Sequence, residues 1–139
     1  MRRNEDAYSL SSIHIFSTHF FSHLTTFGLP QVESWTRSRN IDIFQKKIVI
    51  IPINEQSHWS LVVIVNPGEI QNSIPKVKPN KSGAMPCMFH LDSLQIHNTK
   101  AHCKKLYQWL EREWYFFRKK TPYHFNEDTM PFFVPRNSK

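Results

Sequence analysis

A histidine and an aspartate are the two residues of this chain whose types and positions could perform chemistry together. His58 begins a β-branched run, 58–65, and Asp92 follows another apolar run, 86–91. If the two runs form antiparallel neighbouring strands, the start of one lies beside the end of the other, and imidazole and carboxylate meet at one edge of the sheet. An aspartate fixes the tautomer of a neighbouring histidine and stabilises its imidazolium, so this pair would suit a Cys-His-Asp or Ser-His-Asp site. Because the chain contains eight histidines and eleven acidic residues, spacing alone is a weak signal for catalysis.

Composition places the chain among folded proteins with one ordinary domain. It has 139 residues, of which 40% are hydrophobic and 14% aromatic, and that apolar content excludes wholesale disorder. Its three glycines exclude collagen-like and glycine-rich classes, and its two cysteines cannot form a disulfide scaffold. We therefore expect reduced thiols and a nuclear or cytoplasmic location.

Membrane and nucleic-acid functions receive little support from the sequence. No apolar run approaches the roughly 20 residues that span a bilayer, and the N-terminal residues lack the apolar core of a signal peptide. The formal net charge of +7 permits a nucleic acid or an acidic protein as partner without selecting either. The basic run 118–120 lacks a recognised nucleic-acid-binding module and is interpreted as a solvated helix end. We expect no membrane and no specific nucleic acid as partner.

The segment 11–27 has the apolar spacing of an amphipathic helix. Its apolar side chains recur every three or four residues, which predicts one buried stripe. Ser11 or Ser12 could cap the start of this helix. Gly28 would supply the turn residue at its end, and Pro30 would prevent its continuation.

A second helix is predicted from about Asn98 to near Phe117. Its apolar residues again follow at intervals of three and four, and Asn98 or Thr99 could cap it. We expect Trp109 and Trp114 on this helix, like Trp35 elsewhere in the chain, to pack in the core.

Three β-branched runs predict the strands of a sheet. The run 47–53 is apolar on both faces and predicts a strand buried on both sides, with Pro52 ending its hydrogen-bond ladder. The polar residues 54–57 predict a loop of about four residues, and 58–65 predicts the second strand of a hairpin. The run 86–91 predicts a third strand.

Two further segments complete the predicted architecture. Residues 66–84 are rich in proline and lysine and predict a solvated loop, and 130–135 could form a short edge strand. The fold class expected from these elements is α+β, with a central sheet of a few strands flanked by two long helices.

Several of these segments resemble the SUMO-specific cysteine proteases of the Ulp/SENP family. The specific motifs are His58-Trp59-Ser60-Leu61 and Asp92-Ser93-Leu94 with their flanking strands. Upstream, the segments 14–24, 32–37 and 41–44 are similar to the part of the family that precedes these strands. The resemblance covers roughly residues 13–135, in the family's order.

The resemblance implies a fold, a reaction and three site residues. His58 would be the catalytic base, Asp92 the acid that orients it, and Trp59 an aromatic lining the narrow channel for a C-terminal Gly-Gly. The fold would be an incomplete papain-like α+β domain. The reaction would be hydrolysis at the C-terminal glycine of SUMO or another ubiquitin-like protein, in a precursor or a conjugate. No cofactor or metal is implied.

The chain also departs from the family pattern. The family has a glutamine and, a few residues later, Asp-Cys-Gly, which supply the oxyanion donor and the nucleophile. Neither motif occurs in this sequence. We therefore expect a partial catalytic domain over 1–139, with 66–84 as a loop insertion, that is inactive by itself. The alternative is a non-catalytic SUMO-binding protein derived from the protease fold.

No other residue is an obvious replacement for the missing groups. Cys87 precedes Asp92 by five residues on the same predicted strand, which places it roughly 16 Å away and on the opposite face. Cys103 lies on the apolar stripe of the second helix and is expected to be a buried core thiol. His19 and His23 are four apart on the first predicted helix, but they lack the further ligands of a zinc motif.

Overall fold

The computed structural model describes residues 10–70, 85–95 and 97–135 as a five-stranded sheet packed against helices. The strands are β1 Ile13–Ile15, β2 Ile48–Glu55, β3 His58–Val65, β4 Cys87–Leu91 and β5 Phe132–Phe133. The α-helices are α1 Phe20–Phe27, α2 Ser34–Arg37 and α3 Thr99–Phe117, and 3₁₀ turns cover Leu10–Ser12, Leu29–Val32, Ile43–Gln45 and Pro67–Ile70. None of the described helices combines the length and apolarity needed to cross a membrane.

The sheet has the order β1-β2-β3-β4-β5. Its central strands β2, β3 and β4 are antiparallel, whereas the short edge strands β1 and β5 run parallel to their neighbours. The α+β class is confirmed. The expectation of two long helices is wrong, because α3 has 19 residues and α1 only eight.

One face of the sheet forms the core. Alternate residues of β2 and β3, such as Val49, Ile51 and Val62, are buried, and Leu106 and Trp109 of α3 belong to the same apolar cluster. The other face of β2 is only half-buried. The prediction of a strand buried on both sides is therefore wrong, since the antiparallel sheet alternates between a core face and an open face.

The first predicted helix begins later than its apolar stripe suggests. Ile13–Ile15 forms β1 beside Ile48–Ile50 of β2, and the amide of Phe16 donates to the Ile50 carbonyl over 2.9 Å. The helix starts at Phe20, so Ser11 and Ser12 do not cap it. The spacing misled because Phe16 and Phe20 do share one buried cluster, with their rings stacked 4.1 Å apart, although only Phe20 is helical. The predicted end is confirmed, with Gly28 at a φ of 95°.

The β2–β3 hairpin is tighter than predicted. Its loop has two residues, Gln56 and Ser57, both with positive φ as a type I′ turn requires. Strand pairing also continues through Pro52, which lies opposite Leu61, contrary to the prediction that the ladder ends there. Pro52 is tolerated because β1 pairs with β2 only as far as Ile50, so the side of β2 away from β3 is an edge at this point.

The long helix forms as its sequence predicts. Asn98 caps α3 by accepting a hydrogen bond from the Ala101 amide over 3.0 Å. Trp109 is buried and packs edge-on against Phe16 and Phe20, and Trp35 and Trp114 pack against the same cluster as expected. The predicted edge strand is confirmed as β5.

Residues 66–70 of the predicted loop 66–84 are described, and they contain regular structure. Pro67–Ile70 forms a 3₁₀ turn that buries Ile70, and the rest of the prediction, 71–84, lies outside the described residues. Gly68 is required here, because a Cβ would lie 2.1 Å from the carbonyl oxygen of Phe44.

Arg118 at the end of α3 is more than a solvated charge. Its Nη1 donates to Asp42 over 2.6 Å, and its guanidinium lies 4.9 Å from the centre of the Trp114 ring. Lys119 and Lys120 are exposed, as expected for a helix end. The sequence could not indicate the Asp42 partner, which is distant along the chain.

A buried carboxyl joins α2 to α3. Glu113 is fully buried and accepts a hydrogen bond from Thr36 over 2.6 Å, while its second oxygen has no partner among the described residues. Burial raises the pKa of Glu113 to about 7, even though the Thr36 hydroxyl and nearby Arg37 favour its ionised form.

We predict that Glu113 makes stability fall as the pH rises. The unfolded chain loses this proton near 4.5 and the folded chain only near 7, so stability is lost across that interval. Glu113→Gln removes this dependence. Between about pH 5 and about pH 8, the unfolding free energy of the unaltered chain should fall by on the order of 2–3 kcal/mol more than that of the variant.

Urea unfolding at the two pH values measures this difference. Glu127→Gln, at an exposed glutamate, is the matched control and should keep the pH dependence of the unaltered chain. Parallel pH profiles for the unaltered chain and Glu113→Gln would contradict the prediction.

Candidate active site

Strand pairing brings His58 and Asp92 together. β3 and β4 are antiparallel, with Leu61 opposite Leu91, so the start of β3 lies beside the end of β4. His58 Nε2–H donates to Asp92 Oδ1 over 2.6 Å. The predicted meeting of imidazole and carboxylate at one edge of the sheet is therefore confirmed.

Asp92 is held as a buried carboxylate. Its Oδ1 also accepts from the Gln95 amide over 3.0 Å, and its Oδ2 accepts from the His97 amide over 2.7 Å. Burial by itself would raise the pKa of Asp92, but the bonds from His58 and the His97 amide outweigh it and lower the pKa to about 2. At neutral pH the ionised Asp92 keeps a proton on His58 Nε2, which leaves Nδ1 as the nitrogen able to accept another.

A buried polar network extends from this pair. Ser60 Oγ lies 2.9 Å from His90 Nε2 and 2.7 Å from His97 Nδ1, and His90 Nδ1 lies 2.6 Å from Thr99 Oγ1. Burial, followed by the nearby charge of His102, lowers the pKa of His90 to about 4, so this ring is neutral at neutral pH.

Sequence reasoning missed this network. Strand alternation could have placed Ser60 on the face of His58, and His90 on the face of Asp92, because each is two residues away. His97 lies in the turn after β4, and no periodicity predicts that its ring returns to the same cluster.

Two overlapping groups have donor atoms close enough to hold a metal ion. They are Glu55, His97 and His102, and His90, Asp92 and His97, with the atoms of each group within 4.8 Å of one another. All of these side chains already have hydrogen-bond partners, including His102 Nε2 to Glu55 Oε1 at 2.9 Å. The network therefore accounts for the cluster without an ion. Within the described chain, His19 and His23 belong to no such group.

A cavity of about 410 Å³ adjoins the pair on the open face of the sheet. Trp59, the residue after His58, lies at the edge of this cavity and is 55% exposed rather than packed in the core. The lining residues are Pro52, Trp59, Ser60, Leu61, Leu91, Asp92, Ser93 and Pro135. A larger cavity, about 710 Å³, lies at the other end of α3 beside Arg37 and Tyr115, but no histidine lines it.

Neither cysteine is activated. Cys87 is half-buried, its strand position alternates with Met88 and His90 of the core face, and burial raises its pKa. Cys103 is buried on α3, and burial raises its pKa to about 12. Because the thiolate is the nucleophilic form, both environments oppose reactivity.

The sequence matches one protein family along nearly its whole length. Residues 1–136 match the Ulp1 protease family, C-terminal catalytic domain. Probable ubiquitin-like-specific protease 2A of Arabidopsis thaliana is 34% identical over 113 residues, which cover 73% of this chain and 14% of that protein. Human sentrin-specific protease 2 is 31% identical over 104 residues, with the same two coverages of 73% and 14%.

Solved structures share the fold at low sequence identity. A de-sumoylating protease superposes with a TM-score of 0.68 at 18% identity, over 96% of this chain and 48% of that one. The C-terminal Ulp1 protease domain, solved in complex with Smt3, the yeast ortholog of SUMO, gives 0.61 at 17% identity, over 92% and 50%. The chain thus spans about half of these solved domains and about one seventh of the curated relatives. It belongs to the Ulp1 protease family and has the α+β fold of that family's catalytic domain.

Proposed function

We propose that this chain supplies the base and the orienting acid of a cysteine-type peptidase site for SUMO or another ubiquitin-like protein. The observation that carries the proposal is the 2.6 Å bond from His58 Nε2 to the buried Asp92, beside the cavity edged by Trp59. The Ulp1 domain solved with Smt3 supports this class of partner. The proposed reaction is precursor processing or removal of the modifier from conjugates, in the nucleus or cytoplasm.

The proton chemistry of the proposed site follows from the direction of the hydrogen bond between His58 and Asp92. Asp92 is ionised at neutral pH, since its pKa is about 2, and it holds the His58 proton on Nε2. His58 Nδ1 is then free to take the proton of a cysteine thiol, and the carboxylate stabilises the resulting imidazolium. The same nitrogen would return the proton to the leaving amine after the thiolate attacks the glycine carbonyl.

The nucleophile in this scheme is not one of the chain's own cysteines. Cys103 is buried, and Cys87 lies on the opposite face of β4 from the core-facing residues Met88 and His90. The family motif Gln…Asp-Cys-Gly, absent from this sequence, would supply both the thiol and the oxyanion donor. We therefore propose that the chain does not hydrolyse SUMO conjugates by itself.

We predict no turnover of a fluorogenic SUMO amide and no labelling by a thiol-reactive SUMO probe. Without a placed thiolate, no acyl-enzyme can form. The rate and the labelled fraction should equal those of His58→Ala, with a complete family protease as the positive control. Labelling that disappears in Cys87→Ala or Cys103→Ala would overturn this assignment.

A SUMO-binding function without catalysis is the second candidate. The observation that favours it is the exposed Trp59 ring, which lies at the cavity beside His58 and Asp92. A flat indole packs closely against glycine, which has no side chain to hold it away. Such binding requires neither a nucleophile nor His58 chemistry.

We predict saturable binding of labelled SUMO ending in Gly-Gly, weakened about tenfold or more by Trp59→Ala. Loss of a central aromatic contact typically costs about 2 kcal/mol at an interface. Phe27→Ala is the matched control, because Phe27 is 60% exposed on α1 and does not line this cavity. Fluorescence anisotropy measures both variants.

SUMO lacking its last two glycines separates tail binding from binding of the folded body. It should bind the unaltered chain about as weakly as full SUMO binds Trp59→Ala. No saturable binding at high micromolar concentration would contradict the SUMO-binding function for the isolated chain. Equal losses in Trp59→Ala and Phe27→Ala would contradict the role of the cavity.

A further inference from the structure

We propose that His97 is a positioning residue for the His58–Asp92 pair, and that its ring sets the direction of a buried hydrogen-bond chain. This series of hydrogen bonds runs through Thr99, His90, Ser60 and His97 to the Glu55 carbonyl. The inference rests on the proposed function only for the catalytic importance of the pair. The contacts themselves are present in the protein whatever its substrate.

The backbone of His97 holds the acid of the pair. Its amide donates to Asp92 Oδ2 over 2.7 Å, and the Gln95 amide donates to Oδ1. The turn after β4 therefore encloses the carboxylate. The His97 ring also meets the His58 ring edge to face, with centroids 4.9 Å apart, so it limits where the base can move.

The His97 side chain ties the remaining elements of the site together. Nε2 lies 3.0 Å from the carbonyl oxygen of Glu55, the β2 residue opposite His58 across the hairpin. Nδ1 lies 2.7 Å from Oγ of Ser60, two residues after His58 on β3. One ring thus contacts both strands of the hairpin that positions the base.

The direction of the chain follows from the Glu55 carbonyl, which can only accept a hydrogen bond. His97 Nε2 must carry the donated proton, so the Nδ1 of a neutral His97 accepts from the Ser60 hydroxyl. Ser60 Oγ then accepts from His90 Nε2–H over 2.9 Å, and His90 Nδ1 accepts from the Thr99 hydroxyl over 2.6 Å. Every donor in this arrangement has one acceptor.

The neutral state of His90 supports this direction, because a ring with a pKa of about 4 carries a single proton at neutral pH. The other titratable groups around the His97 ring are His58 on β3, His102 on α3, the Glu55 side chain and Asp92. His102 donates to Glu55 Oε1 and takes no part in this series of hydrogen bonds. It therefore provides a matched buried histidine for comparison.

Nitrogen-15 NMR of histidine tautomers in the full chain at neutral pH tests the direction first. His97 and His90 should both be Nε2–H tautomers with slowly exchanging ring protons. A dominant Nδ1–H tautomer at either ring would overturn the proposal, and this measurement requires no variant. It also needs neither SUMO nor a nucleophile, so its outcome is independent of the proposed catalytic function.

Variants at position 97 test the positioning role. His97→Phe keeps the backbone bond to Asp92 but removes both ring nitrogens. We expect a mixed tautomer at His90 and at least tenfold faster solvent exchange of the His58 Nε2 proton. His97→Asn can still accept from Ser60 near the position of Nδ1, and it should restore the single tautomer of His90.

His102→Phe separates positioning from a general loss of packing. His97 and His102 are 6% and 7% exposed, so the two substitutions disturb equally buried sites. His102→Phe should leave the His90 tautomer and the His58 exchange rate within twofold of the unaltered chain. Equal effects of the two Phe variants, or no effect of His97→Phe, would overturn the proposal.

Discussion

The ionised carboxylate of Asp92, only 3% exposed, is the constraint on which the site depends. A buried charge without partners is costly, and the cost falls when hydrogen bonds surround it. Here His58 and two backbone amides supply that compensation. His58 comes from β3 and both amides come from the turn after β4, so the register of β3 on β4 and the conformation of that turn must be correct together. The same bonds keep Asp92 ionised and orient the His58 ring.

The two-faced sheet separates the parts of the site. Along β3, His58 and Ser60 share the face that packs against α3, whereas Trp59 and Leu61 lie on the open face. His58 is therefore partly buried beside polar groups, and the neighbouring Trp59 ring remains accessible beside a cavity. Strand alternation alone produces this division between adjacent residues. Three consecutive positions thus place His58 and Ser60 on one face of β3 and Trp59 on the other.

Local pattern predicted the elements whose stability is local or whose pairing is simple. The bounds of β3, the Asn98 cap of α3 and the meeting of His58 with Asp92 followed from periodicity and strand ends. The family and its fold followed from the motifs around those residues.

The errors have tertiary causes. Ile13–Ile15 follows a helical stripe but gains a strand partner in β2, and Pro52 is tolerated because β1 has already ended there. The roles of His97 and Arg118 depend on contacts with residues far away in sequence, which no spacing rule detects.

The pair is organised by residues of this chain alone. Asp92 is held by His58 and by the amides of Gln95 and His97, and the His97 ring contacts Glu55 at the end of β2. None of them is a thiol or an oxyanion donor. The described residues therefore hold His58 and Asp92 together without a thiol, and in the proposed site a cysteine brought to His58 Nδ1 would meet an imidazole whose opposite nitrogen already donates to Asp92. In the proposed site, the strands and the turn after β4 therefore orient the base and the acid, and the nucleophile has only to be placed beside His58.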